Sequence, residues 1–391
     1  MSTFKLARIN KFLQEKQHLT EDSKIDDIIK ITDDLCGLHS TDLKTSYLSL
    51  LARTKKFKKS DLEKELYENK SLGRVRGMRR TLFIQTKAMI PIIHAATFGI
   101  IEESFEKYMD VRGVSMKEYH NLSPQILEIL KDQDLSASEI REKLNSKLDI
   151  PAIIQVMCNY GLLIRGKPIK NWKDRRNKYA LFKKYFPDID LSKINEKEAI
   201  QNLVEKYIKA YGPVSETDIS WWTGMTKTKI RESLKKVQIR LKKIQISDIQ
   251  DEFIIHDDDL NNLEHGENSQ GRTLNILPEL DPYPMGYKIR DRYIDSKNYN
   301  KVFDKSGNIT STILLDGVVI GVWDTENQKE PTVKLYLFQP LTEELRNELY
   351  FRAEKFGKFI FNDDVIIKQC KSMTPLTERT AGGFMTPLKN C

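Results

Sequence analysis

Three times along the chain, apolar-periodic helices are followed by a pair of alternating, cation-bearing strands. The clearest instance runs from Ala210 to Ile246. Ser215 is placed to cap a short helix, with Asp218 three residues on to meet the orphan amides. Gly224 supplies the left-handed residue that a sharp interhelical turn needs. Thr226 caps a second helix, with Ile230, Leu234 and Val237 on one face and Lys227, Lys229, Arg231, Lys235 and Lys236 on the other. Two short strands are then predicted, with Ile239, Leu241, Ile244 and Ile246 broken by lysines.

The same order is predicted twice upstream. In the first block, Ile25–Cys36 reads as a helix stopped by Gly37, Leu43–Arg53 as a second, and Ser60-Asp61-Leu62-Glu63 as the capping box of a third. Residues 73–86 then alternate as two strands, and Pro91–Ser104 reads as a connecting helix. In the second block, Ser123-Pro124 starts a helix, Ser136 caps another, and Asp149 opens one that stops at Gly161. Residues 162–181 form a strand pair with Gly166 in its turn. The helix Glu196–Tyr211 leads into the third block. Ser60, Ser136 and Ser215 lie at near-equal intervals, which points to one repeated unit.

From about Asp257 the composition changes. His256-Asp257-Asp258-Asp259 reads as a solvated acidic turn, and Asn261–Gly271 as a loop. A hairpin turning at Asp316-Gly317, a strand from Thr332, an amphipathic helix Thr342–Phe359 and a last strand at Val365–Cys370 follow. The expected fold is α+β and mostly helical, with three tandem winged-helix units followed by a β-rich, barrel-like C-terminal domain. The expected boundaries are 1–118, 119–192, 193–260 and 261–391. The plainer alternative is a set of small helical subdomains with solvated basic faces.

Across 391 residues, 64 Lys and Arg against 56 Asp and Glu give a net charge of +8. That balance fits a nucleic-acid partner without requiring one, so the placement of the cations matters more than their sum. Arg74, Arg76, Arg79 and Arg80 cluster in one strand pair. Arg165, Lys167, Lys170, Lys173, Arg175, Arg176 and Lys178 cluster in another, interleaved with Trp172 and Tyr179. With Lys227, Lys229 and Arg231 they read as contacts to the phosphates of double-stranded DNA. Individually each is as well explained as a soluble surface charge. The four cysteines are far apart with no CxxC, which argues against a zinc site or disulfide framework and for a reducing compartment. No secretory signal or membrane-length apolar run is present, so a cytoplasmic, nucleoid-associated monomer is expected. Phosphate-loop, dinucleotide, zinc-protease and serine-hydrolase signatures are absent. No metal or cofactor is expected.

The step Gly37-Leu38-His39-Ser40-Thr41-Asp42 places polar side chains between two apolar helices. In an extended step His39 and Thr41 point the same way, and an imidazole beside a hydroxyl can orient a water. A helix corner whose polar groups satisfy loose backbone amides is the alternative.

The words CGLHSTDLKTSYLSLLAR, GRVRGMRRTLFIQT, AYGPVSETDISWWTGMTKTKIRESL, LPELDPYPMGYKIRDR and ILLDGVVIGVWD, in this order, resemble the AlkZ/YcaQ-type DNA glycosylase family and its wider winged-helix superfamily. The resemblance implies tandem winged helices around duplex DNA and metal-independent excision of alkylated purines or unhooking of crosslinks. A non-catalytic DNA-binding protein, regulatory or damage-sensing, is the alternative. The family's catalytic Gln-x-Gln or Gln-x-Asp step follows Gly-Leu; here those two positions hold His39 and Thr41. The resemblance also places Glu279 and Asp281 near the DNA-facing cavity. A carboxylate there can stabilise developing positive charge, and Asp281 is expected to join His39 and Thr41 as the catalytic set, with a turn fixed before Pro282 as its alternative role.

Overall fold

The computed structural model describes residues 2–236, 241–265, 271–378 and 388. Val237, Ile239 and Cys391 lie outside the described residues, as do most of the loop after His265 and most of the tail after Lys371.

One element order recurs three times. The first instance runs helix Ile28–Asp34, strand Leu38–His39, helices Leu43–Arg53 and Lys59–Tyr67, then strands Leu72–Arg76 and Leu82–Thr86. The second runs Met116–Ile129, Leu135–Ser136, Ala137–Lys143, Ile150–Asn159, Leu163–Pro168 and Asn177–Leu181. In each, the short first strand pairs antiparallel with the last strand, so the last strand lies in the middle of a three-stranded sheet. The third runs Glu196–Tyr211, a bridge from Val214 to Ile254, then Glu216–Thr223, Lys227–Leu234, Leu241–Ile246 and Phe253–His256. Here the chain's first strand, Ser2–Phe4, adds parallel to the outer edge, at Leu241–Ile246.

Local chemistry explains most element starts. Ser136 and Ser215 accept from the amides of Glu139 and Asp218, and those carboxylates return to the serine amides. Thr226 caps the helix Lys227–Leu234, and Gly224 takes a left-handed φ of 78°. Four expectations are corrected. The helix expected at Ser60 begins at Lys59, with Asp61 accepting from the Lys58 amide. Pro124 lies inside Met116–Ile129, which is capped instead by the Ser115–Glu118 box. Gly166 sits in a strand, and the hairpin turns over residues 169–176. The acidic run at Asp257 is the first turn of the helix Asp257–His265, where carboxylates complement the helix dipole.

The C-terminal sheet has five strands in sequence order, Leu274–Leu277, Thr312–Leu315, Val318–Glu326, Thr332–Leu337 and Ile366–Gln369. Its last strand is parallel to its neighbour, reached through the helix Glu343–Phe361. A parallel return needs such a crossover, and this helix packs on the first strand as well as the last two. The sheet is therefore open and helix-covered, not closed as the barrel-like expectation had it. Cys36 and Cys158 are free thiols, whereas Cys370 is disulfide-bonded, a departure from the expected reduced cysteines.

One contiguous core joins the first repeat, the third repeat and the C-terminal sheet. The second repeat has its own core around Ile126, Ile140, Ile153 and Met157. A small cluster around Ile90, Ile164 and Phe186 lies between the first two repeats.

Candidate active site

The segment from Leu277 to Arg292 is the strut on which the site is built. Asp281 is fully buried and accepts from Arg53 twice (2.7 and 2.8 Å), from the Ser49 hydroxyl (2.8 Å) and from the Tyr283 amide (3.0 Å). At the other end Arg292 pairs with buried Asp218 (3.2 Å), which also accepts from the amides of Lys288 and Ile289. Buried charges persist only when paired and hydrogen-bonded, and both pairs meet that condition. The strut is thereby fixed to the helix Leu43–Arg53 on one side and to the third repeat on the other.

Opposite the strut stands the step from Gly37 to Asp42. The helix Ile28–Asp34 ends with the Cys36 amide donating to Asp33 and the Gly37 amide to Thr32, with Cys36 in the left-handed region at φ 53°. Gly37 follows at φ 104°, and a Cβ there would lie 2.2 Å from the Gln85 amide nitrogen. That amide donates to the Cys36 carbonyl (3.1 Å), and the Tyr211 hydroxyl donates to that of Leu35 (2.9 Å). The next two residues enter the sheet, His39 opposite Phe83.

His39 is 7% exposed, edge-on to Phe83 with ring centroids 5.3 Å apart. Its Nδ1 has no hydrogen-bond partner among the described residues. Burial, with Arg79 and Arg74 nearby, lowers its pKa to about 3, so the imidazole is neutral. It lines a cavity of about 30 Å³ with Arg79, Tyr211, Trp222, Leu280 and Asn308, which has room for a water. Leu280, on the strut, holds a strained φ of 57°. Thr41 is exposed and lies outside this cavity, so the two side chains expected to converge part company. Asp42 caps the helix Leu43–Arg53 through the Lys44 amide (3.0 Å) and accepts from Arg175 of the second hairpin (2.9 Å).

Glu279 sits on the strut one residue before Leu280 and is 8% exposed. Its amide donates to the Ser311 hydroxyl, and no hydrogen bond reaches its carboxyl group among the described residues. Burial raises its pKa to about 7, despite the favourable charge of Lys44.

The expected DNA-binding cations divide into two groups. Arg74 is buried, donating to the Ser40 carbonyl (2.6 and 3.0 Å) and to Asn177 (2.9 Å). Arg165 is buried beside it, and Arg76 is largely buried. Arg79 stacks on Trp221 at 4.1 Å. Arg80, Lys167, Lys170, Arg175, Arg176, Lys227, Lys229 and Arg231 are exposed. Of these, Lys229 pairs with Glu196 (2.9 Å), Arg231 with Glu216 (2.8 Å), Arg175 with Asp42 (2.9 Å) and Arg176 with Asp174 (2.9 Å). The second hairpin reaches the site because Trp172 is buried between Tyr47 and Phe359, with centroids at 5.0 and 5.6 Å. The sequence reading missed Lys44 and Arg53. Lys44 carries a local signal, a cation in the first turn beside a cap; Arg53 carries none, because its partner is distant in the chain. Among the described residues no helix is long and apolar enough to cross a membrane, and no group of three or more His, Cys, Asp or Glu could hold a metal.

A family model for AlkZ-like DNA glycosylases matches residues 32–359. The solved structure of Streptomyces sahachiroi DNA glycosylase AlkZ is similar with a TM-score of 0.75 at 17% identity, covering 95% of this chain and 100% of that one. A comparison with curated proteins finds no match.

Proposed function

The chain belongs to the AlkZ-like DNA glycosylase family, and from that premise we propose that it grips duplex DNA and hydrolyses the N-glycosidic bond of alkylated purines. The observation that carries this reading is the neutral, buried imidazole of His39, which lines a water-sized cavity and whose Nδ1 has no hydrogen-bond partner among the described residues. A neutral imidazole offers one donor and one acceptor, as a glutamine amide offers both. His39 therefore does the positional work of the family's first glutamine. A pKa of about 3 makes it a poor base, so it orients water without taking the proton. Thr41, at the open side of the step, is free to bond the sugar–phosphate chain.

The repeated order of elements, with the last strand central in the first two sheets and set between Leu241–Ile246 and the Val214 bridge in the third, supports reading the three units as winged helices. We take domain boundaries near 118, 192 and 260, and a monomer acting on chromosomal DNA in the cytoplasm. Arg80, Lys167, Lys170, Arg175, Arg176 and Lys227 are exposed and suited to phosphate contacts. Arg74, Arg76 and Arg165 act instead by holding the hairpins in register, and Asp281 by anchoring the strut.

A second reading, a damage-binding protein without catalysis, is favoured by one observation: the cavity at His39 admits a water but no nucleoside. Release of 7-methylguanine from methylated duplex, compared between wild type and His39→Ala, separates the two. We expect release above background and a loss of about 10²-fold in the variant, the scale of one lost transition-state contact. Duplex binding with no release from methylated or crosslinked DNA leaves the second reading.

A further inference from the structure

Between the first two repeats three arginines are brought together without an ion pair among the described residues. The strands Leu72–Arg76 and Leu163–Pro168 pack on each other, and Arg74, Arg76 and Arg165 line one cavity of about 20 Å³ at that joint. No Asp or Glu lines it. Arg165 is 8% exposed, and its side chain has no hydrogen bond among the described residues. The Arg76 Nε is buried without an acceptor, while its Nη1 donates to the Arg80 carbonyl (2.7 Å). Arg74 donates to the Ser40 carbonyl and to Asn177, neutral groups that leave its charge unbalanced. Asp42, the carboxylate acting on Arg74, is already bonded to Arg175 (2.9 Å). The Cys158 thiol in the same wall offers no counter-charge, because burial raises its pKa against the pull of Arg165 and Arg76. Burial lowers the pKa of both Arg74 and Arg76, and Arg165 is the strongest charge opposing each. Arg53 and Arg292, equally buried, each meet an aspartate. A buried charge without a counter-charge is costly, and gathering three of one sign compounds the cost.

We propose that this joint binds one monovalent anion of chloride size among Arg74, Arg76 and Arg165. The cavity sets the class of ligand. About 20 Å³ takes a single water-sized particle, so chloride or bromide fits, and sulfate, phosphate and nucleotides do not. A water there can accept from the free N–H groups, but it cannot offset their charge. An anion does both. It ties the first hairpin to the second, and through Arg74 it steadies the Ser40 carbonyl beside His39.

The test melts the full chain at fixed pH and ionic strength while chloride replaces gluconate, an anion too large for the cavity. Bromide diffused into crystals of the wild type locates the site by its anomalous signal. The expected result is a saturable rise of roughly 2–4 °C with chloride, and a bromide peak among the three guanidinium groups. Arg165→Gln removes one cation and relieves the repulsion, so it should melt no lower than wild type in gluconate and lose the chloride increment. Arg165→Lys should keep part of that increment. A wild type that melts alike in chloride and gluconate, or a joint without bromide, overturns the proposal and leaves water as the occupant. A folded Arg165→Gln with the full chloride increment also overturns it, by placing the response elsewhere. If Arg165→Gln does not fold, the bromide position in the wild type decides. None of these readouts uses glycosylase activity, so failure here leaves the proposed function standing.

Discussion

His39 and Glu279 are both buried, and burial moves their pKa values in opposite directions because it disfavours the charged form of each. The folded state holds the imidazole neutral, with its pKa near 3 in place of 6.5. Between those values the unfolded chain binds more protons, so this group's contribution to stability falls as pH drops. The Glu279 carboxyl sits near 7 in place of 4.5. Over that window the folded chain binds more protons, so its contribution is present below pH 4.5 and is lost as pH rises through 7. Each shift is worth at most about 3–5 kcal/mol. Glu279→Gln should therefore melt higher than wild type at pH 8, with the difference vanishing at pH 4. His39→Gln should melt higher than wild type at pH 4 and no higher at pH 8. Thermal unfolding across that range checks both, and equal melting at both ends for either pair rejects the assigned shift. Sequence distinguishes neither carboxylate on the strut from the other: Glu279 and Asp281 are similar groups flanking Leu280. Asp281 is the structural one because Arg53, 228 positions away, reaches it, and no local pattern encodes that meeting.

The first hairpin turns at Arg79-Arg80, with both residues left-handed at φ 52° and 58° and the Thr81 amide donating to the Met78 carbonyl. This is the geometry of a type I′ turn, whose central positions favour Asn and Gly. Each non-glycine residue there costs about 1–2 kcal/mol. The turn keeps two guanidinium groups where the backbone would favour none, Arg79 stacked on Trp221 and Arg80 exposed. Arg80→Gly should thus stabilise the fold by roughly 0.5–1 kcal/mol, allowing for the lost bond to the Ile100 carbonyl. The same change should weaken duplex binding and lower the slope of log affinity against log salt by about one. A variant that is stabilised but binds with unchanged salt dependence removes Arg80 from the phosphate contacts. Elements whose signals lie within one turn were legible from sequence: the caps at Ser136, Ser215 and Thr226 and the left-handed Gly224 all act within four residues. Gly166 and Pro124 misled because a glycine in a strand and a proline in a helix are tolerated where neighbouring packing compensates. The strand partner of Leu241–Ile246 was missed for a related reason. It lies at Phe253–His256, across an interval that carries no tight-turn signal.

At the scale of the whole molecule, the two sides of the proposed site belong to different cores. His39, Glu279 and Asp281 stand on the core shared by the first repeat, the third repeat and the C-terminal sheet. Arg175 belongs to the second repeat, most of whose apolar residues pack among themselves. That repeat is tied down by buried Trp172 against Tyr47 and Phe359, Asn177 on Arg74, Arg175 on Asp42, Tyr185 on the Leu66 carbonyl, His94 on the Asn159 carbonyl, Lys87 on Asp188, Phe98 against Tyr160, and the small cluster around Phe186. Cooperative units follow contiguous burial, so the second repeat should open as a unit at lower free energy than the shared core. Native-state hydrogen exchange should show the amides of Ile150–Asn159 and Met116–Ile129 exchanging together, ahead of those in Leu43–Arg53 and Val318–Glu326. Bound duplex that bridges both bodies adds its binding free energy to the closed arrangement and not to the opened one. Saturating DNA should then slow exchange in the second repeat more than in the shared core. If all four segments exchange at one common free energy, the repeat is not separable. If DNA protects the shared core alone, the second hairpin does not take part in the grip, and Arg175 serves only to steady the cap of the helix beside the site.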